Sequence, residues 1–115
     1  MAEIRVIHEK DIEEKGNEET KFRDLFNSDN PSISIAKISR QTNDKTLGYD
    51  EVSDNFYYVL EGQGICVTDN QEVKLKRGDL IVIPKKTKYK NVGSLKLLAI
   101  SVPKFNKLNQ VYDKK

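Results

Sequence analysis

Between Asp54 and Gly93 the chain alternates short β-prone runs with glycine, proline and Asx breaks, and that rhythm leaves few folds open. The runs read Asn55-Phe56-Tyr57-Tyr58-Val59-Leu60-Glu61, Ile65-Cys66-Val67-Thr68, Glu72-Val73-Lys74-Leu75-Lys76 and Asp79-Leu80-Ile81-Val82-Ile83. Breaks fall at residues 41–45, at Gly62 and Gly64, Asp69-Asn70, Arg77-Gly78, residues 84–86 and Gly93-Ser94. This is roughly the 8–12-residue spacing of an all-β sandwich or barrel. No amphipathic stretch long enough for a crossover helix lies among them, so the strands pair antiparallel. Asp69-Asn70 tolerates the positive φ of a hairpin turn, and Gly62 with Gly64 is expected to relieve a tight corner. Residues 94–102 supply a last long strand, stopped by Pro103.

The first third has a different texture. Ile4-Arg5-Val6-Ile7 alternates and reads as a short strand. Residues 9–20 are highly charged and read as an exposed loop or helical turn, broken at Gly16-Asn17. Phe22, Leu25 and Phe26 suit either a helix face or a bent strand. Ser28-Asp29-Asn30-Pro31-Ser32 is a turn, residues 33–38 a strand, and 41–46 a polar loop. At the far end Phe105, Leu108, Val111 and Tyr112 are expected to dock a C-terminal segment, with Lys114-Lys115 frayed.

Composition narrows the function classes. With 115 residues the chain reads as one domain, 1–115, able to bury about two-thirds of its unfolded surface. No apolar run approaches the ~18 residues of a membrane span, and charges near the start interrupt any signal-peptide pattern. Cys66 is the only cysteine, which excludes an intrachain disulfide or a paired zinc motif. Set in an apolar run, it reads as a small buried hydrophobe. The expectation is a cytoplasmic protein without membrane contact. Residues 1–54 carry 8 Lys/Arg against 13 Asp/Glu, whereas 55–115 carry 12 against 5. Lys74, Lys76, Arg77, Lys85, Lys86, Lys88 and Lys90 would make a basic rim, but alternate lysines are more often the solvated face of edge strands. Only Tyr89 interleaves with them, so nucleic acid is disfavoured as a partner.

Tyr57-Tyr58-Val59-Leu60-Glu61-Gly62-Gln63-Gly64, followed by Gly78-Asp79-Leu80-Ile81-Val82-Ile83-Pro84, resembles the two motifs of the cupin superfamily. The resemblance covers about residues 33–103, with 1–32 and 104–115 as flanking segments. It implies an all-β, antiparallel double-sheet jelly-roll barrel, here with a short helical turn near the N-terminus. In that family a His-x-His, then a Glu, and a His in the second motif hold a metal. Counted back from Gly62, the glutamate position falls on Asn55. The two histidine positions fall on Tyr49 and Glu51, or on Gly48 and Asp50 if the gap is one residue longer. The last ligand falls on Tyr89, and Lys86 stands where the family prefers glycine. The protein's one histidine, His8, lies far away. No metal site and no cofactor are therefore expected, because imidazole supplies the grip on late transition metals.

A pocket can outlast its metal. If Asn55 points inward, the two-residue period turns Tyr57 and Val59 inward and Phe56, Tyr58 and Leu60 outward. The expected mouth comprises Tyr49, Glu51, Asn55, Tyr57, Tyr89 and Asn91, aromatic walls with a few polar groups suited to a small polar or anionic molecule. Two alternatives stand beside this metal-independent binding protein. One is an enzyme resembling the family's sugar-nucleotide epimerases and ketoisomerases, with Tyr89 as acid and Glu51 as base. The other is a structural or partner-binding module whose tyrosines simply fill the lumen. The outward Phe56, Tyr58 and Leu60 need cover, which leads us to expect a homodimer.

Overall fold

The computed structural model describes residues 4–40 and 46–112. The expected break at 41–45 and the frayed Lys114-Lys115 lie outside them. A 3-10 turn at Glu9–Asp11 leads into β1 (Lys15–Gly16), β2 (Thr20–Asn27) and β3 (Ser32–Arg40). Then follow β4 (Gly48–Asp50), β5 (Asp54–Val67), β6 (Glu72–Lys76), β7 (Leu80–Ile83) and β8 (Lys90–Val102), and, after a second 3-10 turn, β9 (Gln110–Tyr112). Every pairing is antiparallel. Seven strands form one sheet in the order β1-β2-β3-β8-β5-β6, with β7 also on β5, and β4 with β9 makes a two-stranded ribbon. This is the expected jelly roll. Among the described residues no helix is long and apolar enough to cross a membrane.

The sheet folds over on itself. Ile38 of β3 and Leu75 of β6 lie far apart in strand order, yet both belong to one core cluster with Val59, Cys66, Ile83, Leu95 and Leu97. The bend sits in β5 and β8, which pair along almost their whole length with a register shift between Val59 and Glu61. Leu60 is the extra residue there, and the tight 78–79 turn satisfies the neighbouring backbone: Gly78 N–H donates to Val59 O and Val59 N–H to Asp79 O, each at 2.9 Å. Gly62, Gly64 and Gly93 are therefore not turns, as the sequence suggests, but bend points inside continuous strands. Gly64 and Gly93 face each other in register, and a Cβ on Gly93 would come within 2.6 Å of the Gly64 Cα. Glycine at both positions lets the two backbones close on one another.

The N-terminal expectations are corrected in part. Residues 4–7 form no strand, and Ile4 is 96% exposed. Residues 9–14 lie along the outer face instead, where Glu9 pairs with Lys96 at 3.2 Å and Glu14 reaches Arg23 and Lys37. Phe22 and Phe26 belong to a strand with a bulge between Asp24 and Phe26, not to a helix. The C-terminal segment docks through the β9 backbone, which pairs with β4, while Leu108 stays exposed.

Candidate functional site

Five polar side chains are buried alongside the apolar core: Asp50, Ser53, Asn55, Asn91 and Ser101. Asn55 lies opposite the core residue Ile83 and Asn91 opposite the core residue Cys66. Tyr57 and Tyr89 are partly buried and packed against the same core.

Asp50, not Glu51, enters the interior. Asp50 is 2% exposed, whereas Glu51 is exposed on the surface and its side chain takes no place in the site. The cause is local. Asp50 Oδ1 accepts hydrogen bonds from Val52 N at 2.9 Å and Ser53 N at 2.7 Å, an Asx turn that carries the chain from β4 into β5. That turn spends four residues between Asp50 and Asn55, so the longer of the two spacings is the one adopted. Tyr49, beside Asp50 in β4, projects to the opposite face and pairs with Val111 through the backbone. The pocket drawn from sequence thus loses Tyr49 and Glu51 and gains Asp50. Lys86, at φ 67, adopts the left-handed backbone that glycine favours and donates its N–H to Asp50 O at 2.7 Å.

Tyr57 and Tyr89 come together. Their hydroxyls are 2.5 Å apart and their rings tilt at 50° with centroids separated by 6.0 Å. Burial pushes the Tyr57 phenol up to about 12. The Tyr89 hydrogen bond partly offsets this, and charge on Cys66, Asp50 and Tyr112 adds to it. Tyr89 is driven further in the same direction, by burial first and then by Tyr57. Both are protonated near neutrality and act as hydrogen-bond donors rather than bases. Burial also pushes the Cys66 thiol up to about 11, which keeps it from being a thiolate nucleophile.

Asn55 faces inward but is occupied. Its Oδ1 accepts from Ser101 Oγ at 2.5 Å and its Nδ2 donates to Ser53 O at 3.5 Å. Asn91 is buried in the same interior, opposite Cys66 across the β5–β8 pair. Gln110 and Tyr112 of β9, which the sequence does not single out for the site, cover it from the ribbon. The Tyr112 ring lies where a Cβ on Gly48 would meet it at 2.8 Å, and its hydroxyl donates to Gln110 Oε1 at 2.6 Å.

The family's metal positions are thus Gly48, Asp50, Asn55 and Tyr89. Glycine offers no side-chain donor, the Asn55 oxygen is engaged, and Tyr89 holds its proton. One carboxylate does not fit a transition metal. Among the described residues no three His, Cys, Asp or Glu side chains converge. Two open depressions lie elsewhere, one along Lys74, Lys76 and Asp79 and the other along Lys21, Lys37 and Lys96.

The family model described as Cupin domain matches residues 43–102. The uncharacterized protein MJ1618 of Methanocaldococcus jannaschii is 38% identical over 78 residues, 64% of this chain and 62% of that protein, so the match spans less than two thirds of the relative. Pac13 of Streptomyces, described as a nucleoside dehydratase, superposes with a TM-score of 0.83 at 18% identity, over 97% of this chain and 92% of that one. It has been solved with uridine in forms that replace a histidine by glutamine or a tyrosine by phenylalanine. Ectoine synthase of P. lautus superposes at 0.80 with 13% identity, over 96% and 91% of the two chains. At these identities the likeness is one of fold.

Proposed function

We propose, from the premise that this chain belongs to the Cupin domain family, that it binds a small molecule in the interior of its jelly roll, at the Tyr57–Tyr89 pair, without a transition metal. One observation carries the reading: the Tyr57–Tyr89 phenol pair stands in the interior beside a buried Asp50 whose Oδ2 has no partner among the described residues. Such an arrangement costs stability in the free protein, since a buried unpaired acceptor forfeits about 1–3 kcal/mol. Apolar side chains would close the lumen at lower cost, and a ligand gives the polar groups a purpose. A fold neighbour described as a nucleoside dehydratase and solved with uridine supports the view that this architecture accommodates a polar molecule of that size. The setting is proposed to be the cytoplasm.

The test is a thermal-shift survey of the full chain against polar metabolites and divalent metals. A metabolite that raises the melting temperature, with the shift lost in Tyr57→Phe, is the expected result, since only a ligand favouring the native state stabilises it. Stoichiometric zinc, nickel or iron in untagged protein would overturn the reading.

A second reading follows from the same carboxylate. Asp50 replaces Glu51 as the base of an acid–base enzyme, and a Tyr89 phenol donates to the substrate's oxygen. Turnover lost in both Asp50→Asn and Tyr89→Phe, with binding kept, would distinguish it from simple binding.

A further inference from the structure

Two buried side-chain oxygens lack a hydrogen-bond partner among the described residues, Asp50 Oδ2 and Asn91 Oδ1. Both residues are almost fully enclosed, at 2% and 4% exposure. They come from different elements, β4 and the start of β8, so no single local turn accounts for both. They also flank the same feature. Behind burial, Asp50 is among the smaller causes that hold the protons on both Tyr57 and Tyr89. Its backbone is tied to the segment leading to Tyr89 through the Lys86 N–H to Asp50 O hydrogen bond. Asn91 follows Tyr89 by two residues on the same face of an extended run, a spacing of about 7 Å.

The polarity of this group is specific. Asp50 and Asn91 offer acceptors only at these atoms. Two phenols that share one hydrogen bond still have one proton to give. The site therefore presents two acceptors and one donor. We infer that it is built for a neutral, hydroxyl-rich molecule of the sugar or nucleoside class, whose adjacent hydroxyls donate to Asp50 Oδ2 and Asn91 Oδ1 while one accepts from the phenol pair. The inference rests on the binding reading above and specifies its ligand. An alcohol can donate and accept at once. A phosphate or carboxylate brings acceptors against acceptors and like charge against Asp50. An ammonium group cannot accept the phenol's proton. Of the cations expected to draw an anion, Lys74, Lys76, Arg77, Lys85 and Lys86 are exposed. Lys88 and Lys90 are half-buried and alternate with Tyr89 along the chain, which turns them to the face opposite its ring. Arg40 is turned to Asn91 O and Thr20 Oγ1. Of the small polar or anionic molecule expected from the sequence, this pattern of donors and acceptors favours the polar alternative.

Calorimetric titration of the full chain with D-ribose, uridine, uridine 5′-monophosphate and choline tests this. Ribose or uridine is expected to bind, with the monophosphate at least about ten-fold weaker and choline inactive. Asp50→Asn keeps the Oδ1 acceptor that the Val52 and Ser53 amides need, so the turn survives, but it places an amide donor or a weaker acceptor at the Oδ2 position. It should weaken uridine about ten-fold or more, the scale of a lost hydrogen bond to a charged group. Asn91→Leu, a second and independent variant, should do the same. Tighter binding of the monophosphate or of choline, abolished by Tyr57→Phe, would overturn the ligand class and leave the binding site standing. Failure of all four probes to bind would overturn the ligand class, and the binding reading is then decided separately by the thermal-shift survey of metabolites. Undiminished uridine binding in both Asp50→Asn and Asn91→Leu would overturn the assignment of the acceptors.

Discussion

Tyr57 and Tyr89 hold between them the clearest chemical signature in the molecule, and it is one that titrates. Burial keeps the Tyr57 proton on to about 12, against 10.0 for a free phenol. The unfolded chain therefore binds fewer protons than the folded one between those two values, and stability falls as pH rises through them. It is fully present below pH 10 and declines by about 1.4 kcal/mol per pH unit for each phenol held back. Cys66, pushed up by burial to about 11 from 9.0, acts in the same sense from a lower pH. Urea titrations between pH 9 and 12 should show this slope, and Tyr57→Phe should flatten it by about one proton. The same variant should cost about 1 kcal/mol at neutral pH, since Tyr89 loses its partner. Parallel slopes in the two proteins would show that Tyr57 is freely solvated. A strand period of two was enough to place Tyr57 inward from sequence. The choice between Asp50 and Glu51 was not legible in that way, because it depends on how many residues the Asx turn at Asp50 consumes.

At the scale of elements, the bend in β5 and β8 brings distant strands of the sheet around one core, and glycines make it possible. Gly62 has φ +90, and a Cβ there would collide with the Ser94 carbonyl oxygen across the pair. Gly78 has a nearly equal φ of +93, but nothing lies within 4 Å of its Cβ position. The comparison separates backbone strain from crowding. Gly78→Ala should cost about 1–2 kcal/mol, the price of a left-handed backbone alone. Gly62→Ala should cost distinctly more, about 3 kcal/mol or above, because the β5–β8 pair must also part. Chemical denaturation of both variants gives the answer, and equal losses would remove the close approach from the argument. Runs and breaks in the sequence identify most strands, including the Asp69-Asn70 hairpin and the 77–78 turn. They misplace Gly62–Gly64 and Gly93 as turns because glycine marks a bend inside a strand and a turn between strands with the same letter. The residues at 4–7 alternate like a strand but have no neighbour to pair with in the described chain, so local pattern alone misreads them.

For the whole molecule, the distribution of apolar side chains between the two faces of the sheet argues for a second copy. Cross-strand partners put Val82, Phe56 and Ile100 in one row and Leu80, Tyr58 and Leu98 in the next, all on the face away from the core. The rows continue through Ile33 and Ile35 of β3. At that end the N-terminal segment covers them, with the Arg5 guanidinium 5.8 Å from the Phe26 ring centroid and Glu9 paired to Lys96. Ile35 is buried at this end. At the other end nothing in the described chain covers them, and Tyr58, Leu80 and Val82 remain 42%, 60% and 55% exposed. A continuous apolar patch half covered by its own chain is unusual on a monomer, and β7 adds an edge paired on one side only. A two-fold dimer that joins these patches would finish the burial that the N-terminal segment begins. Light scattering at micromolar concentration should then give twice the chain mass of 13.2 kDa. Leu80→Glu with Val82→Glu should return a folded monomer, since both side chains lie outside the core and their loss opens no cavity. A wild-type monomer, or a dimer indifferent to the double substitution, would place the interface elsewhere and leave the exposed rows to a different partner.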